Sequence, residues 1–273
     1  MDLATSTRAL SRRSRMLPVA REPGFAWRAA RPRLVAVAIY AIAMAYVESA
    51  AVLYLRTIYG GIDPVGPRST PFNPIPDFVW IEIGREGATM IMLGCVGFLA
   101  GRGVAGRIGM FAMAMGVWDI SYYVFLWLFS GWPPTLLAPD VLFLIPLPWW
   151  GPVLAPVMSA AVMVIVGAVA LARDLGDGVP PMTRASRAGL VVGVLMCLYA
   201  FMAEALHRFI EAGFEAAYYV RGGAFDWPIF CIGLVVCALA AWGWLGRATP
   251  CRSYPWRGYT RRHTCRSRFD SAS

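Results

Sequence analysis

The stretch IGMFAMAMGVWDISYYVFLWLF (residues 108–129) decides the fold class. It is long and apolar enough to cross a hydrocarbon core of roughly 30 Å as a single α-helix. Within it, the segment WDISYY (residues 118–123) places Asp119, Tyr122 and Tyr123 at bilayer depth. An ionisable residue is costly to place there, so Asp119 is a candidate for a functional group.

The rest of the chain shares this apolar character. Hydrophobic residues make up 58% of the 273 residues, whereas soluble domains contain about 45–50%. Further apolar runs of about 20 residues recur along the chain. The sequence therefore predicts an all-α fold, a polytopic transmembrane helical bundle of about six spans. These spans are Leu34–Leu55, Phe78–Ala100, Ile108–Phe129, Val153–Leu171, Ala188–His207 and Trp227–Leu245.

The segment between the third and fourth spans is irregular. Residues 137–172 are too many for one span at a rise of about 1.5 Å per residue, and they include five prolines. We predict a Pro-broken or re-entrant segment through residues 142–150. Broken backbone at membrane depth is tolerated only where protein or a water-filled cavity covers it, so we expect a cavity beside this segment.

Arginines dominate both ends of the chain. Residues 1–33 carry eight arginines and only two acids, and the tail of residues 247–273 carries seven arginines. We predict a disordered basic cytoplasmic arm, a transmembrane domain over residues 34–246 and a basic cytoplasmic tail. The arm also has the composition of an organelle transit peptide. We expect the lipid bilayer as the partner, with anionic lipids at the cytoplasmic face, and no nucleic acid.

The distribution of charge predicts the orientation. Six spans put both termini on one side, together with the loops at residues 102–107 and 173–187. That side carries 20 arginines and five acids, a net charge of +15, while the remainder carries five arginines and eleven acids, a net charge of −6. The excess of arginine predicts that both termini lie in the cytoplasm.

Four acids from four spans share one depth in the outer half of the bilayer. Helical rise places Glu48, Glu86, Asp119 and Glu204 roughly 5–12 Å or slightly more below the outer interface. Small residues at positions 41, 45 and 49 form a stripe that lets another helix approach the first span closely. The candidate polar site consists of Glu48, Arg85, Glu86, Asp119, Tyr122, Tyr123, Asp140, Glu204 and His207.

One interpretation of this layer is structural. Glu48 or Glu86 would pair with Arg85, and Asp119 would accept hydrogen bonds from tyrosine hydroxyls, fixing the helix packing. Such a protein would be a non-catalytic subunit of a membrane complex or a homo-oligomer. An excess of acids over bases argues for a role beyond packing, since surplus carboxylates need a cation, a proton or water.

A second interpretation is a metal site. Glu204 and His207 are three residues apart, a spacing that puts a carboxylate and an imidazole on one helix face, as in di-iron helical bundles. Glu48, Glu86 and Asp119 would complete the ligand shell. His207 is the only histidine in the membrane region.

Two further interpretations stay open. In proton- or cation-coupled transport or permeation, Asp119 and Glu48 would be the titrating carriers. In an intramembrane hydrolase or transferase for lipids, an acid would act as general base and Arg85 or Arg208 would hold a phosphate.

Three segments together resemble a group of uncharacterised bacterial multi-pass membrane proteins. They are AYVESA (residues 45–50), REGAT (residues 85–89) and WDISYY (residues 118–123), the last followed by GWP (residues 131–133) and DVLFLIP (residues 140–146). The likeness covers roughly residues 40–160. It implies a protein of the bacterial cytoplasmic (inner) membrane and carries no activity with it.

Overall fold

A computed structural model describes residues 24–58, 79–213, 216–217 and 224–247. Within these residues, six helices are long and apolar enough to cross a membrane. They confirm the predicted all-α polytopic bundle, and the protein is a multi-pass membrane protein. The helices are α1 (Trp27–Ile58), α2 (Val79–Ala100), α3 (Val104–Ser130), α4 (Leu154–Leu175), α5 (Arg184–Ala212) and α6 (Trp227–Leu245).

The observed helices extend beyond several predicted spans. The last helix has the predicted bounds, and it begins where the side chain of Asp226 accepts a hydrogen bond from the backbone N–H of Ile229 at 3.1 Å. The first helix begins at Trp27, inside the predicted arm, so the final part of that arm is helical. The remainder of the arm (residues 1–23) and nearly all of the tail (residues 248–273) lie outside the described residues.

The predicted Pro-broken segment is a β-hairpin. Strand β1 (Pro139–Phe143) pairs antiparallel with strand β2 (Trp149–Pro152). The residues between the strands include two prolines, which cannot donate to a helical or strand hydrogen bond. The hairpin joins α4 directly, because the backbone N–H groups of residues 153 and 154 donate to the carbonyls of residues 138 and 136 at 3.0 and 2.7 Å.

Helix α3 is the centre of a four-helix group, since it packs against α1, α2 and α4. Small residues permit the close approach. A Cβ atom added to Gly109 would lie 2.7 Å from the Cβ of Ala170 on α4. On the other side of α3, the hydroxyl of Ser49 donates to the carbonyl of Tyr122 at 3.0 Å. Ala41, Ala45 and Ser49 are fully buried, as expected of a stripe that another helix approaches.

Helices α5 and α6 form a separate pair. Gly193 and Gly233 face each other, and a Cβ atom on Gly193 would lie 2.7 Å from the carbonyl oxygen of Gly233. This pair meets the rest of the bundle mainly at two places. Helix α6 contacts α4, and helix α5 contacts strand β2 of the hairpin. The bundle therefore has a seam between the four-helix group and the α5–α6 pair.

The end of the bundle opposite the hairpin, here called the basic end, gathers four parts of the chain. Asp177 accepts a hydrogen bond from the backbone N–H of Gly24 at 3.0 Å, ahead of α1. Asp174 accepts from the N–H groups of Arg102 and Gly103 at 3.0 and 2.8 Å, in the turn between α2 and α3. Arg173 donates to the carbonyl of the residue that follows α6, Arg247, at 2.6 Å.

Candidate functional site

The polar residues of the candidate site lie mainly at the hairpin end of the bundle, because the helices that carry them extend to that end. The last turns of α1 and the first turns of α2 reach this end, as does the second half of α3. The hairpin, which connects α3 to α4, lies over them. The result is three ion-paired or hydrogen-bonded groups and one separate acid.

The first group is the Arg85 cluster. Arg85 forms ion pairs with Glu48 of α1 and with Glu82 of its own helix. Its Nη2 and Nε atoms lie 2.8 and 2.9 Å from Oε2 of Glu82. All three side chains are less than a third exposed. The predicted pairing of Arg85 with an acid of the layer is therefore present, and Glu48 is the partner.

The second group is a backbone contact between α2 and the hairpin. Both carboxylate oxygens of Glu86 accept from the backbone N–H of Leu144, at 3.1 and 2.9 Å. Leu144 follows directly on β1. Glu86 is buried, and a carboxylate hydrogen-bonded in this way is a strong acceptor. Glu86 therefore binds the backbone of the hairpin and does not form an ion pair with Arg85.

The third group, the Asp140 cluster, joins α1, α3 and β1. The Tyr123 hydroxyl donates to Oδ2 of Asp140 at 3.3 Å, and Nη2 of Arg56 lies 3.5 Å from Oδ1. The Arg56 guanidinium also stacks over the ring of Trp132, 4.2 Å from its centroid. Burial raises the pKa of Asp140 to about 6, although the Arg56 charge opposes that shift.

These contacts correct one prediction. In the structural interpretation Asp119 accepts the tyrosine hydroxyl hydrogen bonds, but Tyr123 donates to Asp140 instead. Tyr122 contributes its carbonyl to Ser49 and its ring to Trp118 and Tyr123. The cause is the hairpin, which brings a second acid closer to Tyr123 than the acid on its own helix.

Asp119 lies apart from the three groups and faces a cavity of about 320 Å³. It forms no side-chain hydrogen bond or ion pair with another residue of the described part of the chain. The cavity lies at the seam, between α3 and α4 on one side and α5 and α6 on the other, with the hairpin at its outer end. This is the cavity expected beside the Pro-broken segment.

The walls of the cavity are almost wholly apolar. Among the described lining residues, Asp119 is the one that carries a carboxyl group, and Ser159, Cys197 and Cys237 add a hydroxyl and two thiols. Trp149 lines the hairpin end of the cavity and stacks on Phe201 at a centroid distance of 6.0 Å. A carboxyl group in such surroundings needs a proton or a cation, because an isolated charge there is costly.

Glu204 and His207 lie elsewhere, on an exposed face near the end of α5. The imidazole Nε2 of His207 lies 3.3 Å from Glu211, and Oε1 of Glu204 lies 3.6 Å from Nε of Arg208. The His207 side chain is 65% exposed. Across the described ranges, no three or more His, Cys, Asp or Glu side chains are placed to share a metal ion. The structure therefore does not bring these two residues together with Glu48, Glu86 and Asp119.

The candidate residues predicted from the sequence omit three members of the observed site: Glu82, Arg56 and Leu144. Glu82 lies three residues before Arg85 on α2, a spacing that places both side chains on one helix face. Arg56 lies eight residues after Glu48 on α1, which is close to two helical turns, so its position on the same side of the helix was a usable signal. Leu144 participates through its backbone N–H, and no side-chain pattern indicates that contact.

Comparisons of the chain with protein-family models, with curated proteins and with solved structures find no match.

Proposed function

We propose that the protein mediates proton- or cation-coupled transport or permeation across the bacterial cytoplasmic membrane, with Asp119 as the group that binds the proton or cation. The observation that carries this proposal is the position of Asp119. It is the acid of the site that has no partner among the described residues, and it faces the cavity at the seam.

The balance of charge supports a proton- or cation-binding role. The three groups and Asp119 contain five carboxyl groups, those of Glu48, Glu82, Glu86, Asp119 and Asp140. In the described part of the chain, two guanidinium groups, those of Arg56 and Arg85, are paired with them. Surplus negative charge in an apolar region must be neutralised by protons or cations.

The other polar residues have a supporting role in this proposal. Glu86 holds the hairpin to α2, and Asp140 holds it to α1 and α3. Since Phe143 and Trp149 of the hairpin line one end of the cavity, these contacts hold that part of its wall in place. The same contacts favour a second candidate function, a non-catalytic subunit of a membrane complex in which the whole polar layer serves packing.

We further propose that the basic end faces the cytoplasm and that the hairpin faces outward. The excess of arginine at the basic end supports this orientation. Both termini would then lie in the cytoplasm, where the basic arm and tail would contact anionic lipids. A reporter active only in the cytoplasm, fused to the C-terminus, should be active in cells.

Flux measurements test the proposal. We expect purified protein in proteoliposomes to increase proton or monovalent-cation entry when a membrane potential is imposed, measured with dyes trapped in the lumen. Asp119→Asn should reduce entry to the level of protein-free liposomes, because the amide cannot titrate. Glu211→Gln, which neutralises an exposed acid on α5, should leave the flux unchanged.

Unchanged flux in a folded Asp119→Asn protein would overturn the carrier role of Asp119. If that variant instead fails to fold while Glu211→Gln folds normally, Asp119→Glu provides the second test. It keeps a carboxyl group in the cavity and should retain flux under the proposal. Absence of flux from wild-type protein and from both variants would favour the structural subunit.

A further inference from the structure

The cavity is an elongated slot that runs along the helices. Its lining on α4 runs from Pro156 to Val166, and its lining on α5 runs from Leu190 to Phe201. At a rise of about 1.5 Å per residue, either run corresponds to roughly 15 Å. The slot therefore extends from the hairpin toward the middle of the bundle, along the helices.

The two ends of the slot differ in chemistry. The outer end contains Asp119 together with the aromatic rings of Phe143, Trp149 and Phe201. Among the described residues, the deep end is lined mainly by apolar side chains, including Ala112, Val166, Leu190 and Ala241, and by the thiol of Cys237. A ligand that matches the slot has a polar group at one end and an apolar body of about the length of the slot.

The charge at the outer end selects the polar group. An anionic headgroup would be repelled by Asp119. A hard divalent cation needs about six oxygen ligands, whereas the cavity offers one carboxyl group and one hydroxyl from its described lining. A quaternary ammonium group is large and weakly hydrated, requires a single negative charge, and is also attracted by aromatic faces.

The seam gives such a ligand a route from the bilayer. Helix α5 packs chiefly on α6, and its main contact with the rest of the bundle is with strand β2 of the hairpin. The slot thus lies between two helix groups rather than inside one tightly packed core. An amphiphile dissolved in the membrane can enter a slot at such a seam without crossing water.

We propose that the slot binds a lipophilic cation, a single-chain amphiphile whose ammonium group pairs with Asp119 and whose chain fills the apolar part. This inference rests on the proposed function and specifies its substrate class. One carboxylate can neutralise one positive charge at a time. A proton and the ammonium group therefore compete for Asp119, and this competition couples their movements.

The test compares three ligands that share a decyl chain: decyltrimethylammonium, decanol and decanoate. Binding is measured by equilibrium dialysis against the full chain in lipid nanodiscs, with empty nanodiscs as the background for partitioning. We expect saturable binding of the ammonium compound only, and weaker binding as the pH falls. Asp119→Asn should weaken binding at least about tenfold, because one member of a desolvated charge pair is lost, whereas Asp119→Glu should retain it.

A second variant tests the apolar part of the slot. Ala112→Leu adds volume at the deep end and should weaken binding of decyltrimethylammonium while leaving tetramethylammonium, which lacks the chain, unaffected. Equal binding of all three decyl compounds, or full binding by Asp119→Asn, would overturn the inference.

The outcomes separate the two proposals. If wild-type protein shows Asp119-dependent flux but does not bind the ammonium compound, the substrate class is wrong and the proposed function stands. If binding depends on Asp119 but no flux is observed, the ligand site is correct and the transport function is wrong.

Discussion

Tyr123 donates its hydroxyl hydrogen bond to Asp140 of the hairpin, at 3.3 Å, although Asp119 lies one helical turn away on its own helix. This contact divides the acids of the layer into two kinds. Asp140, together with Glu86, holds the hairpin in place, and Asp119 is left facing the cavity. The consequence is that substitutions of Asp140 and Asp119 should affect different properties, stability in the first case and binding or flux in the second.

The first prediction concerns the pH dependence of stability. Burial raises the native pKa of Asp140 to about 6 from an ordinary value of 3.8. The native state therefore holds this proton more tightly than the unfolded state does. The stabilising contribution is fully present below about pH 4 and is lost as the pH rises through about 6, a change of roughly 3 kcal/mol.

Thermal unfolding in mild detergent between pH 4 and pH 7 measures this effect. Asp140→Asn lacks the titrating group and should not show this loss. The stability of the wild type relative to the variant should therefore be greatest near pH 4 and should decrease as the pH rises to 7. Glu211→Gln should follow the wild-type curve, because Glu211 is about half exposed. Parallel curves for wild type and Asp140→Asn would show that the carboxyl group of Asp140 has an ordinary pKa.

The second prediction concerns the Arg85 cluster. Arg85→Gln removes the cation that two acids share, leaving Glu48 and Glu82 close to each other without a counter-charge. Loss of one partner from a buried ion pair costs about 3–5 kcal/mol, and the partial exposure of Arg85 favours the lower figure. Unfolding by denaturing detergent should show a destabilisation of about 3 kcal/mol.

A double substitution separates the ion pair from other effects of Arg85. Adding Glu48→Gln to Arg85→Gln removes one of the unpaired charges and should restore part of the lost stability. If the two substitutions are simply additive, the contact between Arg85 and Glu48 contributes no coupling energy.

Much of the fold could be predicted from the sequence because apolar runs of membrane length have few alternatives to helices. The polar layer was only partly predictable. Shared depth and opposite charge predict that Arg85 pairs with Glu48 or Glu86, and the structure shows Glu48 as the partner. The partners of Tyr123 and Glu86 were not predictable, because both depend on a hairpin whose strands are short and rich in proline. Such a segment has no helical or alternating pattern from which its backbone contacts could be inferred.

The third prediction concerns the packing of α5 against α6, which forms one wall of the slot. A Cβ atom at Gly193 would lie 2.6 Å from the Cys237 sulfur and 2.7 Å from the carbonyl oxygen of Gly233. The carbonyl oxygen of Gly233 belongs to the backbone, so it can move away from the added Cβ atom only if the two helices separate. Gly193→Ala should therefore lower the free energy of unfolding by about 1–3 kcal/mol, as overpacking does in other well-packed interiors.

Gly243 on α6 is the matched control, because a Cβ atom there meets nothing within 4 Å. Gly243→Ala should be neutral or slightly stabilising, since alanine favours the helix more than glycine does. Separation of α5 from α6 would also distort the slot, so Gly193→Ala should weaken binding of decyltrimethylammonium while Gly243→Ala should not. Equal unfolding curves for the two glycine variants would show that the two helices lie farther apart at Gly193 than this structure places them.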